Sequence, residues 1–104
     1  LYSSDLIEAL RAEGHPITAG GTGENLTIGG IDRSRMRGGL TITIGEVVLR
    51  TSSPAAPCHK NGDSFTERHW NRIDHVERPG WARWYASVLR SGTVSPGDAV
   101  IVNA

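Results

Sequence analysis

The stretch LTITIGEVVLRTSS, residues 40–53, constrains the fold of this chain more than any other. Thr41-Ile42-Thr43-Ile44 alternates polar and apolar side chains, the period of a strand with one buried face. Val47-Val48-Leu49 resumes the β-prone run, and only Gly45 and Glu46 separate the two, so a pair of strands with a tight connection is predicted. Other segments point the same way. Glu24 to Ile28 is a short β-prone piece, WARWYASVLRSG (81–92) is aromatic and β-branched, and DAVIVNA (98–104) reads as a last strand after the Pro96-Gly97 turn. Ser3-Ser4-Asp5 offers N-cap oxygens ahead of Leu6, Ile7 and Leu10 on one helical face, and Gly14 and Pro16 follow, which predicts a helix near residues 4 to 13. Ser64 and Glu67 have capping-box spacing and predict a second short helix. The sum is a mostly β domain, barrel or sandwich, with Trp84, Val88, Leu89, Val100 and Val102 expected in its core.

The 104 residues suffice for one domain. Eleven cationic and eleven acidic side chains cancel, and no basic block is present, which argues against nucleic acid or a membrane surface as partner. No apolar run is long enough to span a bilayer, and no signal peptide opens the sequence. Cys58 is the only cysteine, so no internal disulfide can form, which fits a reducing, cytoplasmic setting.

Several chemical motifs fail on inspection. Gly21-Thr22-Gly23 begins a dinucleotide-type pattern, but Leu26 takes the place of the third glycine and a strand follows where a helix is needed. His59, His69 and His75 with Cys58 match none of the structural-zinc spacings. No Gly-x-Ser-x-Gly elbow supports a catalytic serine.

Cys58 is less easily dismissed. A free cysteine is commonly a small buried hydrophobe. This one lies in SSPAAPCHKNGDSF (52–65), where Pro54 and Pro57 hold Ser53 and Ala56 extended and make a stiff approach. His59 and Lys60 follow it, and a cationic neighbour favours the thiolate, the form that attacks or binds metal. Backbone N–H groups of Cys58, His59 and Lys60 are expected to be free to face an anion. Packing and reactivity both remain open on residues alone.

Four blocks in order, Gly23-Glu24-Asn25-Leu26-Thr27, Ile44-Gly45-Glu46-Val47, Pro57-Cys58 and WYASVLRSGTVSPGD (84–98), resemble the MOSC domain. That domain is found at the C-terminus of molybdenum cofactor sulfurases and also in small proteins of its own. The resemblance implies a β-barrel-like, strand-rich fold with a pocket for the molybdenum–pyranopterin cofactor. It implies that Cys58 is the catalytic position, as persulfide carrier or as thiolate ligand of molybdenum. It further implies that Asn25 lines the cofactor pocket on the side of Cys58, with Glu24 and Gly23 beside it. The implied function is cofactor binding or sulfur carriage, one version being a reductase of N-hydroxylated compounds. The alternative is a non-catalytic binding or scaffold module of the same fold. Partners would be the pyranopterin cofactor or a persulfide donor such as a cysteine desulfurase, and a homodimer is allowed. Larger sulfurases carry a pyridoxal-phosphate domain, whereas here Lys60 alone is no evidence for that cofactor. Three departures stand out. Ala55 occupies a position where many members have arginine, and Arg83 one where they often have glycine before the Trp-Tyr pair. The family's N-terminal strands have no counterpart, so residues 1–104 are expected to be the larger, C-terminal part of the domain.

Overall fold

The computed structural model describes residues 1–103, apart from the side chain of Arg33. Strands dominate. β1 (Tyr2–Ser3) leads directly into α1 (Ser4–Ala12), followed by β2 (Thr27–Ile28), β3 (Thr41–Ile44), β4 (Val47–Ala55), β5 (Arg83–Arg90) and β6 (Val100–Asn103). Short 3-10 turns cover Arg33–Arg35 and, between β4 and β5, His59–Ser64, Thr66–Arg68 and Trp70–Ile73. Ala104, at the end of the last predicted strand, lies outside the described residues.

The central hairpin forms as its alternation dictates. Ile44 pairs with Val47 across a two-residue turn, and Gly45 supplies the positive φ of 56° that such a turn needs. Ile42, Ile44, Val47 and Leu49 turn inward and form one core with Ile28. Thr51 is also buried inside. Its hydroxyl donates to the Arg37 carbonyl at 2.6 Å and accepts from the Leu40 N–H at 2.9 Å, tying the incoming chain to β4. A second core gathers Leu6, Ile7 and Leu10 of α1 with Tyr2, Ile17, Phe65 and Ile73. The helix is capped by Ser3, whose Oγ accepts from the Leu6 N–H at 3.3 Å, and it ends ahead of Gly14 at φ 100°.

The strands make a four-stranded antiparallel sheet, ordered β5-β4-β3-β6, and a two-stranded parallel pair, β1-β2. Leu1 joins them, with Trp84 N–H donating to its carbonyl at 3.0 Å and its own nitrogen donating to the Trp84 carbonyl at 2.9 Å. The sheets do not close into a barrel. Between β2 and β6 runs a cleft of about 670 Å³, lined by Asn25, Thr27, Ile28, Ile44, Pro96 and Val100 among others. The barrel-like expectation therefore holds for strand content and not for closure.

Two core assignments need correction. Trp84 is buried, and Val100 and Val102 are half-buried, but Val88 is 61% exposed and Leu89 54% exposed. The reason is a bulge. Val48 pairs with Arg90 and Leu49 with Val88, which leaves Leu89 without a cross-strand partner. Val88 stands opposite the inward Leu49 yet faces an open cleft of about 440 Å³. The capping box at Ser64 is also absent. The Ser64 hydroxyl donates to the Gly21 carbonyl at 3.1 Å, and Glu67 and Arg68 take left-handed φ values of 54° and 57°, which end any α-helix there.

These positions separate in mutagenesis. Leu10→Ala, at a fully buried site, is expected to cost about 2–5 kcal/mol in denaturant unfolding. Leu89→Ala is expected to stay within about 0.5 kcal/mol of the parent. Equal losses at the two positions would contradict the packing described.

Candidate functional site

Cys58 sits just beyond the end of β4 and is exposed. The strand runs through Pro54, which lies at an irregularity in the β4–β5 register where a missing N–H is tolerated. Extended backbone then carries the chain through Pro57 to Cys58, at φ −147° and ψ −178°, before it tightens into the 3-10 turn His59–Ser64.

That turn is anchored by Asn61. Asn61 is 5% exposed. Its Oδ1 accepts from the Cys58 N–H at 3.0 Å, its own N–H donates to the Cys58 carbonyl at 2.8 Å, and its Nδ2 donates to the Thr22 carbonyl at 2.9 Å. The Cys58 N–H is thereby committed and does not face an anion, contrary to the sequence-based expectation.

Arg83 reinforces the same junction. Nη1 donates to the Thr22 carbonyl at 2.9 Å, while Nη2 reaches the Ala56 carbonyl at 3.2 Å and Asn61 Oδ1 at 3.3 Å. Its Nε is buried without a hydrogen-bond partner. On the far side of the turn, Arg68 Nη2 donates to the His59 carbonyl at 2.8 Å and Nη1 to Asp63 at 2.9 Å. This guanidinium lies over Gly62, where a Cβ would displace it. Two arginines thus hold the carbonyls on either side of Pro57-Cys58. The sequence signal for Arg83 was its departure from the resembled family; for Arg68 and Asn61 there was none.

The glycine-rich loop meets the cysteine loop at Thr22. Glu24 organises that loop from within, its Oε1 accepting from Thr22 Oγ1 at 2.8 Å and Thr22 N–H at 3.2 Å, and its Oε2 from Thr27 Oγ1 at 3.1 Å. Burial alone would push the Glu24 carboxyl up. The bonds from Thr22, the backbone N–H groups and Thr27 outweigh it and hold the group below the usual carboxylate range. Gly23 adopts φ 86° in the turn between Gly20 and Glu24, a value that favours glycine.

Asn25 is exposed and lies on the other flank of this loop. It lines both the cleft of about 440 Å³, with Leu1, Leu26, Trp84 and Val88, and the cleft between β2 and β6. Cys58 is in neither lining. The structure therefore joins Cys58 to Thr22, Gly23 and Glu24 through Asn61 and Arg83, and sets Asn25 toward separate clefts. The histidines disperse. His75 packs edge-on to Trp84 at 5.9 Å, His69 is exposed beside Glu67, and among the described residues no three His, Cys, Asp or Glu side chains converge as metal ligands.

The Glu24 network has a pH signature. A depressed folded-state pKa stabilises above the unfolded-state value, and that stability is lost as pH falls through the folded one. Glu24→Gln is expected to melt earlier than the parent at neutral pH, with the gap closing as the solution is acidified below the ordinary carboxylate range. Thermal melts across an acid series check this; a gap independent of pH would contradict it.

The comparisons agree with this architecture. A family model for the MOSC domain matches residues 1–101. YflK of Bacillus subtilis, described as an uncharacterized protein, is 32% identical over 82 residues, which are 79% of this chain and 36% of YflK. The crystal structure of YiiM from Geobacillus stearothermophilus matches with a TM-score of 0.74 and 25% identity, over 99% of this chain and 52% of that one. YiiM from Escherichia coli matches with a TM-score of 0.75 at 24% identity over the same shares, a likeness of fold. The chain spans about a third of the curated relative and about half of each solved one. With its strand order, its glycine-rich loop and its presented cysteine in place, this chain belongs to the MOSC domain family, a family associated with molybdenum cofactor binding.

Proposed function

We propose that the protein binds a molybdenum–pyranopterin cofactor, with Cys58 as its sulfur ligand. One observation carries this reading: the chain's single thiol is exposed on a short loop whose carbonyls are held from both sides by arginine. A packing cysteine would be buried, and an incidental surface cysteine needs no such scaffold.

The donor set fits the group. Among the described residues no cluster of three hard or nitrogen ligands competes for a metal, and one soft sulfur suits a thiophilic metal whose other ligands come with the cofactor. Cys58 would hold the metal, and the glycine-rich loop at Gly23 and Glu24, joined to the cysteine loop through Asn61 and Arg83, would lie beside the organic part. When bound, the cofactor supplies a redox-active metal centre. The residues of the chain orient it: Arg83 and Asn61 fix the sulfur-bearing loop, and Glu24 keeps the glycine-rich loop in shape. Reduction of an N-hydroxylated compound is the reaction this reading favours, two electrons and two protons from a separate reductant converting N–OH to N–H and water.

Sulfur carriage is a second reading, favoured by the exposure of the thiol, which leaves it open to a protein-sized donor. The Cys58 thiolate would attack the outer sulfur of a donor persulfide, forming an S–S bond on Cys58 as the donor leaves as a thiolate. A cysteine desulfurase is a donor of this class.

Protein purified from a cofactor-producing host tests both. Cys58→Ser is expected to lose bound molybdenum or persulfide sulfur and to melt within about 3 °C of the parent, as for an exposed side chain. Iodoacetamide is expected to label Cys58 in the native protein. Labelling only after unfolding, with a serine variant that melts much earlier, would make Cys58 a packing residue. A parent without molybdenum or persulfide would leave the family's fold serving as a binding module.

A further inference from the structure

Building on the reading of Cys58 as the sulfur ligand of the cofactor, we propose that Arg83 is a positioning residue that fixes the cysteine loop against the glycine-rich loop, so that one ligand can engage both. Its guanidinium reaches three acceptors in two chain segments. Thr22 belongs to the glycine-rich loop, Ala56 precedes Pro57-Cys58, and Asn61 Oδ1 also holds the Cys58 N–H. One bond holds the backbone before the thiol, one the side chain that holds the Cys58 N–H, and one the glycine-rich loop, so Arg83 acts through the two loops.

The cost of this arrangement is visible in Arg83 itself. Nε is buried and makes no hydrogen bond, and a buried donor left unsatisfied is destabilising. The two Nη atoms are placed where the loops meet, at the expense of the third nitrogen. A lysine could supply the charge but not the planar fork that spans separate acceptors. Arg68 restrains the outer side of the turn through His59, so the inner side is the part Arg83 alone ties to another segment by its side-chain charge. The consequence is a division of labour: Cys58 provides the sulfur, and Arg83 sets its place relative to Gly23 and Glu24.

The test compares parent, Cys58→Ser, Arg83→Lys and Arg83→Gln, each purified from a cofactor-producing host. Molybdenum content, thermal melting, amide exchange and iodoacetamide labelling are measured on each. Arg83→Lys and Arg83→Gln are expected to retain about tenfold less molybdenum, as when a supporting partner of a metal ligand is removed. The Cys58 and Asn61 amides should exchange faster while those of the β3–β4 hairpin stay protected, and Cys58 should still be labelled. Parental molybdenum in folded Arg83 variants, beside its loss in Cys58→Ser, would overturn the positioning role and leave the reading of Cys58 standing. Molybdenum retained in Cys58→Ser, or absent from the parent, would overturn that reading and this inference with it. If neither Arg83 variant melts cooperatively, Arg83 is a folding residue and the proposal fails.

Discussion

The Thr22 carbonyl is the point on which the candidate site depends. It accepts from Asn61 Nδ2 and from Arg83 Nη1, both at 2.9 Å, in a buried setting. Such an oxygen satisfies both lone pairs at once, and the donors come from the cysteine loop and from the start of β5. Three segments far apart in sequence are thus pinned at one atom. The bond from Ser64 to the Gly21 carbonyl and those from Arg83 to Ala56 and Asn61 join the same segments in pairs, and only this oxygen takes donors from both other segments at once among the bonds described. Bonds to charged donors are stronger than neutral ones, and low local dielectric strengthens them further. The same low dielectric makes each of these groups costly to leave alone, so the junction is held together or lost as a unit.

Around that junction the molecule is built from two small cores. One packs α1 beneath the 3-10 turns, and the other lies on the inner face of the four-stranded sheet. Tyr2 belongs to the first, and its hydroxyl donates to the Trp81 carbonyl at 2.9 Å, while burial raises its pKa above the ordinary value. Arg72 covers the outside of this core, stacked 3.9 Å from the Trp81 ring and paired with Glu13 through two bonds of 2.8 and 2.6 Å. Leu1 and Trp84 link this half to the large sheet. The clefts lie along the flanks of the second core, lined in part by its own Val47, Leu49, Ile28 and Ile44.

How much of this was legible depended on whether local or distant partners fixed each element. The hairpin, α1 and the last strand are encoded by periodicity and caps within a few residues, and all three form: α1 ends one residue short of the expected bound, the last strand starts two residues after Asp98, and β4 runs on to Ala55. Leu89 could not be placed, because a one-residue slip in the pairing with β4 decides its burial, and no property of β5 alone reports that slip. Ser64 and Glu67 carried a capping-box signal, but the Ser64 hydroxyl is taken by the distant Gly21 carbonyl and Glu67 turns left-handed. Cys58 was legible as a presented thiol because prolines act locally. Asn61 and Arg83 were not, because their acceptors lie 39 and 61 residues away along the chain.

The pairing of Ala55 with Arg83 across β4 and β5 has a steric consequence. Side chains at directly opposed positions emerge on one face of a sheet, about 5 Å apart at Cβ. An arginine at either position starts from nearly the same place and can reach the carbonyls around the thiol. The two positions then form one slot for a single cation. In this chain the slot is filled from the β5 side, with the small, buried Ala55 opposite. A second guanidinium from β4 would crowd the same set of acceptors, so the loop takes its cation from one strand only.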